Sequence, residues 1–308
     1  MKIEVLLTEA EIAQEFNEAV EARDLPEKFF YWSPGSVEAW RTLSQSPAYA
    51  GLLATARTLF QSLLHVGLSY KDGVSVLSFG AGDGTSDCLL LKSLISSGSP
   101  VQYFPVDASQ NLLEEACCAA ENLDIETLGV KADISSPVHV VLAGDITSSR
   151  RIVVLTGNTL GGFDPLDVVH NIGKMLNTGD VLIVDGELHR ESMVRDHSEV
   201  VCRDFSFAPL AAAGLTREDG QIRIEQKRDE RHEGLHLLAS YFHGEADLRL
   251  VVNGGEFLLS RGERVLLNVN YSFTREAFRW LLTKQGGLQI LSELPSPDGR
   301  FLTAVCSR

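Results

Sequence analysis

From residue 74 onward, short, mainly apolar runs alternate with amphipathic stretches, and this alternation constrains the fold more than any other feature of the chain. The runs fall at 74–79, 101–106, 125–132, 152–155 and 181–184, with helical patterns at 85–96, 110–121 and 165–176 between them. A strand that is mainly apolar, without strict alternation of apolar and polar positions, fits a sheet buried on both faces. Helices between successive strands fit parallel pairing. The expected fold class is therefore α/β with a doubly covered parallel sheet. Such sheets bind ligands beyond the carboxyl ends of their strands, so functional residues are expected in the loops that follow those runs.

The flanking segments have a different character. Thr8 and Glu11 form a capping box ahead of Ile12, Phe16, Ala19 and Val20 at helical spacing, so the N-terminus is expected to run into an amphipathic helix. Breaks at Leu25-Pro26 and Pro34-Gly35 frame an aromatic loop, Phe29-Phe30-Tyr31-Trp32, before helical patterns from 36 to 64. Aromatic side chains in a loop need burial or a ligand. Downstream, 189–213 reads as helical, and 221–225, 235–242, 247–252, 256–259 and 264–269 read as extended runs of an antiparallel insertion. Thr274 then caps a helix through 282, and 288–294 and 301–305 supply two closing strands.

Charge and composition exclude several functions. Lys plus Arg total 27 against 42 Asp plus Glu, and a net charge of −15 repels nucleic-acid phosphates and anionic membrane surfaces. No nucleic-acid or membrane partner is expected. The longest apolar stretches fall far short of the ~20 residues of a spanning helix, and Met1-Lys2-Ile3-Glu4 opens without the apolar region of a secretory signal. A cytoplasmic location is expected. Cysteines 88, 117, 118, 202 and 306 are odd in number and lack C-x-x-C spacing, which reads as reduced packing thiols.

Phe79-Gly80-Ala81-Gly82-Asp83-Gly84 follows the first apolar run and leads directly into a helix. Glycines there let backbone approach a ligand closely, although a tight strand-to-helix turn needs them as well. A G-x-G turn alone serves NAD, FAD or S-adenosylmethionine. Asp107 ends the next strand in Phe104-Pro105-Val106-Asp107-Ala108-Ser109, 23 residues beyond Gly84, where a carboxylate accepts hydrogen bonds from both ribose hydroxyls. The third glycine does not keep the spacing that seats a pyrophosphate at a helix N-terminus. That tilts the reading toward S-adenosylmethionine, which carries no phosphate. Asp133-Ile134 after the third run suits an adenine amino group and its ring face, and the loop from Thr156 through Gly157 and Asn158 to Pro165 suits the sulfonium end. Each piece alone could be a helix cap; their order along one sheet carries the weight.

These residues resemble the histidine-specific S-adenosylmethionine-dependent methyltransferases of the ergothioneine-pathway type. The resemblance runs through Leu25-Pro26-Glu27-Lys28-Phe29-Phe30-Tyr31 with Gly35-Ser36, Pro47-Ala48-Tyr49, the Gly80/Gly82 loop and Pro105-Val106-Asp107. It continues through Gly157 to Pro165, Phe273-Thr274-Arg275-Glu276-Ala277-Phe278 and Asp298-Gly299-Arg300-Phe301. It implies a Rossmann-like methyltransferase domain over 63–188, completed by 273–308. A second, α+β domain built from 1–62 and 189–272 would close over an amino-acid-like substrate. It assigns cofactor contacts to Gly80, Gly82, Asp107 and Asp133, with Ala81, Ala108, Ile134, Thr156, Gly157 and Asn158 beside them. Tyr31 and Tyr49 are the implied catalytic and substrate-side hydroxyls, and Arg195 is placed on the substrate side too.

The departures from the family pattern concern the acceptor. Gly162 stands where the family has an Asn that grips the amino acid's backbone groups, Asn268 and Asn270 stand where the histidine enzymes present Glu and Ser, and Ser86 replaces a basic residue after the glycine loop. The expected activity is N-methylation of a small amine, an amino acid or amino-acid-derived metabolite of specialised metabolism, other than free histidine. O-methylation of a small metabolite, and a catalytically silent S-adenosylmethionine-binding regulator, stay open. An amine is a good nucleophile once deprotonated, so orientation matters more than acid–base chemistry; Asp185 and Glu187 are candidate proton acceptors, with helix capping as their other reading. His232-Glu233-Gly234-Leu235-His236 matches the zincin pattern, but Gly234 and the strand-like alternation after it favour a hairpin turn over a metal site.

Overall fold

The computed structural model describes residues 1–47, 50–51, 54, 58, 70, 72–147 and 150–308. Tyr49 lies outside the described residues, as does most of the expected helix beyond residue 47. Strands β1 (Ile3–Val5), β2 (Val74–Phe79), β3 (Val101–Asp107), β4 (Glu126–Thr127), β5 (Gly129–Lys131), β6 (Arg151–Leu155) and β7 (Val181–Glu187) pair in parallel. With β13 (Gln289–Pro295) and β14 (Phe301–Ser307) they form one sheet in the order β1-β5-β3-β2-β6-β7-β14-β13, and β4 also pairs with β3. β14 runs antiparallel between β7 and β13. The chain moves outward from β2 to β3 and β5, then returns to the other side of β2 at β6. That reversal opens a crevice above the ends of β2, β3 and β6.

The sheet is covered as its apolar runs require. Helices α3 (Thr85–Ser96), α4 (Gln110–Glu121), α5 (Pro137–Asp145) and α6 (Pro165–Met175) connect its strands. Two cores result, one containing Leu77, Val106, Val153, Val184 and Phe278, the other Val76, Leu91, Tyr103 and Ile183. Two elements were not expected. The chain opens on β1, which pairs with β5 and covers a sheet edge. Helix α5 lacks amphipathic period because Val138, Val141 and Leu142 remain exposed, but Ser136 caps it and Pro137 starts it.

The remaining elements share a third core. It joins α1 (Glu9–Ala22), a 3-10 turn (Glu27–Phe30) and α2 (Pro34–Ser44) to helix α8 (Val200–Ala212) and to strands β9 (Leu235–Gly244) through β12 (Arg264–Phe273). Phe16, Phe29, Phe30, Phe205, Phe242 and Leu267 lie in it, so Phe29 and Phe30 of the aromatic loop are buried, and the half-buried Tyr31 and Trp32 pack against this core. β8 (Gly220–Arg228), β9 and β12 form an antiparallel sheet, and β10 (Leu248–Val252) and β11 (Gly255–Leu259) a hairpin. Segments far apart in sequence thus pack as one layer beside the crevice. Among the described residues, no helix is long and apolar enough to cross a membrane.

Candidate active site

A cavity of about 610 Å³ lies between the sheet ends and the third core. Its floor is the glycine loop after β2. Gly80 has φ +68°, and a Cβ there would come within 2.6 Å of Thr159 Cγ2; Gly84 has φ +74°, and its Cβ would meet the Ala116 backbone at 2.9 Å. Both positions therefore exclude side chains, keeping the loop low and α3 close to α4. Asp107, at the end of β3, braces this floor: its Oδ2 accepts from the Gly82 amide at 2.9 Å and its Oδ1 from the Ser109 amide at 2.8 Å. Burial pushes this carboxyl above its usual range, and the backbone N–H groups oppose that shift. Each oxygen retains acceptor capacity for a diol.

Asp133 follows β5. Lys28 Nζ donates to its Oδ2 at 2.7 Å, and Ser135 donates to its Oδ1 through amide and hydroxyl at 2.8 and 2.6 Å. Burial pushes this carboxyl up, but the Lys28 and Ser135 contacts outweigh it and hold it below its usual range. Ala81, Ala108, Ile134, Thr156, Gly157 and Asn158 also line the cavity. The Gly157 and Asn158 amides donate to Asp185 at 2.9 and 2.8 Å, so buried Asp185 holds the loop after β6 from beneath. It caps no helix, lying within β7.

The opposite wall carries the acceptor-side candidates. Tyr31 lies between the rings of Trp40 and Phe205 and donates to Glu27 Oε1 at 2.9 Å. Buried Asn268 accepts from the Ser206 hydroxyl at 3.1 Å, and Asn270 and Gly162 line the same cavity. Glu187 ends β7 with its carboxylate held by Arg190 at 2.8 Å and His197 at 3.4 Å; these offset the upward push of burial and keep it ionised below its usual range. It too serves no helix cap. Arg195 is a correction: its side chain is 84% exposed and paired with Asp196, while its neighbours Asp196 and His197 face the cavity instead. α7 (Met193–His197) turns position 195 outward.

Glu27, Ser206, Ser240, His197 and Arg300 are cavity residues that the sequence reading did not single out. For Glu27 a signal existed, because it sits four residues before Tyr31 in the quoted motif, the spacing that brings side chains together on a helical turn. The H-E-x-x-H segment is a turn entering β9, with His232 against Trp280 and His236 stacked on His189, so the two imidazoles are not on one helical face.

Besides Asp107, three carboxyls in or beneath the cavity wall are raised in the fold. Burial pushes Asp87 and Asp185 up to about 6 and Glu27 up to about 7, partly opposed by the Tyr103 and Ser78 hydroxyls, the loop amides and Tyr31 respectively. A folded pKa above the unfolded one gives stability that is intact at low pH and lost as pH rises through the folded value. Stability is therefore expected to fall between about pH 4 and 7, on the order of 2–3 kcal/mol for Asp87 alone. Urea unfolding across this range checks it: Asp87→Asn should flatten the fall, and an equally steep fall in that variant would dissociate Asp87 from it.

A central parallel sheet with one antiparallel strand inserted near its edge, and a glycine loop with a buried acid at the crevice, define the class of Rossmann-like methyltransferases. The chain belongs to the histidine-specific, S-adenosylmethionine-dependent methyltransferase family, whose model matches residues 8–308. It is accordingly a methyltransferase that uses S-adenosylmethionine. The N-methyltransferase fsqC of Aspergillus fumigatus is 22% identical over 255 residues, covering 80% of this chain and 69% of that protein. Among solved structures, an S-adenosylmethionine-dependent methyltransferase from Clostridium acetobutylicum is 14% identical with a TM-score of 0.46, over 88% of this chain and 98% of that one. The citrinin polyketide synthase CMeT domain is 16% identical with a TM-score of 0.49, over 89% of this chain and 57% of that one.

Proposed function

We propose that the chain methylates the nitrogen of a small amine, an amino acid or amino-acid-derived metabolite of specialised metabolism, and that free histidine is not its acceptor. One observation carries the exclusion of histidine: the wall formed by Asn268, held by Ser206, and Asn270 offers neutral amides where the family presents Glu and Ser. An imidazole there loses a charge-assisted partner. The amine reading is supported by the named N-methyltransferase relative and by the presence of Glu27 and Tyr31 on the acceptor side.

S-adenosylmethionine, when bound, supplies an electrophilic methyl group on a sulfonium. In this reading Asp107 accepts hydrogen bonds from the ribose hydroxyls and Asp133 from the adenine amino group, with Ala108 and Ile134 as apolar cover. Tyr31 orients the acceptor. Apart from β1, which belongs to the central sheet, the 1–62 and 189–272 segments act as a substrate domain over the 63–188 and 273–308 methyltransferase domain, holding the acceptor in place.

Incubation with S-adenosylmethionine and a panel of small amines should yield S-adenosylhomocysteine with at least one of them and little with histidine. Efficient conversion of submillimolar histidine would restore the plain family substrate, and turnover confined to hydroxyl acceptors would replace N- by O-methylation. Tyr31→Phe should lower kcat/KM for the acceptor about 2- to 10-fold, the loss of one hydrogen bond, while cofactor affinity holds. Wild-type kinetics in that variant would make Tyr31 a packing residue.

A further inference from the structure

Resting on the amine reading above, we infer that Glu27 seats the ammonium group of the acceptor and takes its proton, with Tyr31 holding the carboxylate in place. Gly162 makes this geometry possible. A Cβ at 162 would come within 2.9 Å of Glu27 Cδ and 3.0 Å of Oε1, so the bare backbone at 162 leaves the room that the Glu27 carboxyl fills. The family's amide anchor on this loop is thus absent, and a carboxylate from the 3-10 turn occupies the adjoining space. An amide binds an amine through a neutral hydrogen bond, whereas a carboxylate in an enclosed cavity selects a cation.

The surroundings leave Glu27 free for that role. It faces the cavity, and its hydrogen bond from Tyr31 occupies one oxygen. The cations nearby are engaged elsewhere: Lys28 with Asp133 and Glu15, Arg41 on α2 with Glu38 and Glu115, and Arg231 with Asp164 beyond the Gly162 loop. Arg217 pairs with Asp204 of α8. Across the cavity, Glu187 holds Arg190 and His197 with Arg300 at 4.0 Å, and Asp196 also holds Arg190; Glu199 lies on the same rim. Among the described residues Tyr31 alone shifts the Glu27 carboxyl besides burial, which pushes it up to about 7. Such a carboxyl is a better proton acceptor than an exposed one and is poised near neutral pH.

The step balances without a co-reactant. The ammonium N–H bond breaks, its electron pair stays on nitrogen as the attacking lone pair, and the proton passes to Glu27 Oε. An ammonium and a carboxylate become a neutral amine and a neutral acid, and Glu27 later returns the proton to solvent.

The test uses the full chain with S-adenosylhomocysteine bound and glutamate labelled with ¹³C at Cδ, the Glu27 signal being assigned by its loss in Glu27→Gln. Benzylammonium at high-millimolar concentration should lower the Glu27 titration midpoint by about one pH unit or more, while neutral benzyl alcohol should leave it in place. Equal midpoints with the two probes overturn the inference. With the amine found by the turnover panel, Glu27→Gln should lower kcat/KM about tenfold and abolish the rise of rate through pH 7, and Glu27→Asp should recover part of both. Unchanged S-adenosylhomocysteine affinity certifies that the variants are folded. If an amine is methylated as well by Glu27→Gln as by the wild type, this inference fails and the amine reading stands; if only hydroxyl acceptors react, the amine reading itself fails.

Discussion

Asp107→Ala is expected to weaken S-adenosylmethionine binding by roughly ten- to a hundredfold. The carboxylate accepts from the Gly82 and Ser109 amides, and Asp107 lines the cavity from the end of β3. A charge-assisted contact to a hydroxyl contributes about 1.5–3 kcal/mol, and each 1.4 kcal/mol is about tenfold in affinity. The alanine variant also releases the brace on the glycine loop, so Asp107→Asn, which keeps one acceptor oxygen, should fall between the two. Calorimetric titration of cofactor into each variant reads this directly. Unchanged affinity in Asp107→Ala would remove Asp107 from the cofactor site.

The largest loss of stability is expected from Asp180→Ala. Arg151 enters β6 only 6% exposed, and Asp180 is 5% exposed. The aspartate accepts from Arg151 Nε at 2.8 Å, from the Arg151 amide at 3.0 Å and from the Asn177 amide at 2.8 Å. The guanidinium also donates to the carbonyls of Gly144 and Met175 at 3.2 and 2.9 Å, which ties α5 and α6 to the sheet. Removing Asp180 leaves a buried cation without its counter-charge, a change that costs about 3–5 kcal/mol. The melting temperature should fall by roughly 10 °C. Arg151→Met combined with Asp180→Leu should recover most of it, because a buried ion pair is only marginally better than well-packed apolar side chains. A shift within a degree or two for Asp180→Ala would mean that the pair is solvated.

Much of the sheet was legible because strand burial is written locally. Val74–Phe79 and Val181–Glu187 are buried at every position, and the mainly apolar runs at 74–79 and 181–184 encode that without reference to distant residues. β1 escaped because Ile3–Val5 is half exposed and bonds along one edge only, so its pattern carries no burial signal. α5 escaped because an uneven apolar run masks the helical period while its Ser136-Pro137 start alone marks it. Of the candidate site, the residues at strand ends were legible, since a glycine turn or terminal acid is defined by the strand before it. Arg195 was misplaced because a five-residue helix sets the direction of each side chain within a single turn, and no periodicity over so short a span reveals which residue faces inward.

The sequence by itself determined the order of the strands and helices other than β1 and α5, the glycine and acid positions at the crevice, the cofactor class and the family, because these follow from period, turn chemistry and motif within short stretches of chain. Only the tertiary structure decided which side chains pair around the cavity. Glu27 lies against Gly162, Ser206 donates to Asn268, and Glu187 gathers Arg190 and His197. The first two of these pairs join the N-terminal turn to a sheet loop and a helix to a distant strand, and their approach is set by how the packed cores dock around one cavity. Which side chains converge there depends on close packing at ångström precision, and that is a property of the whole molecule.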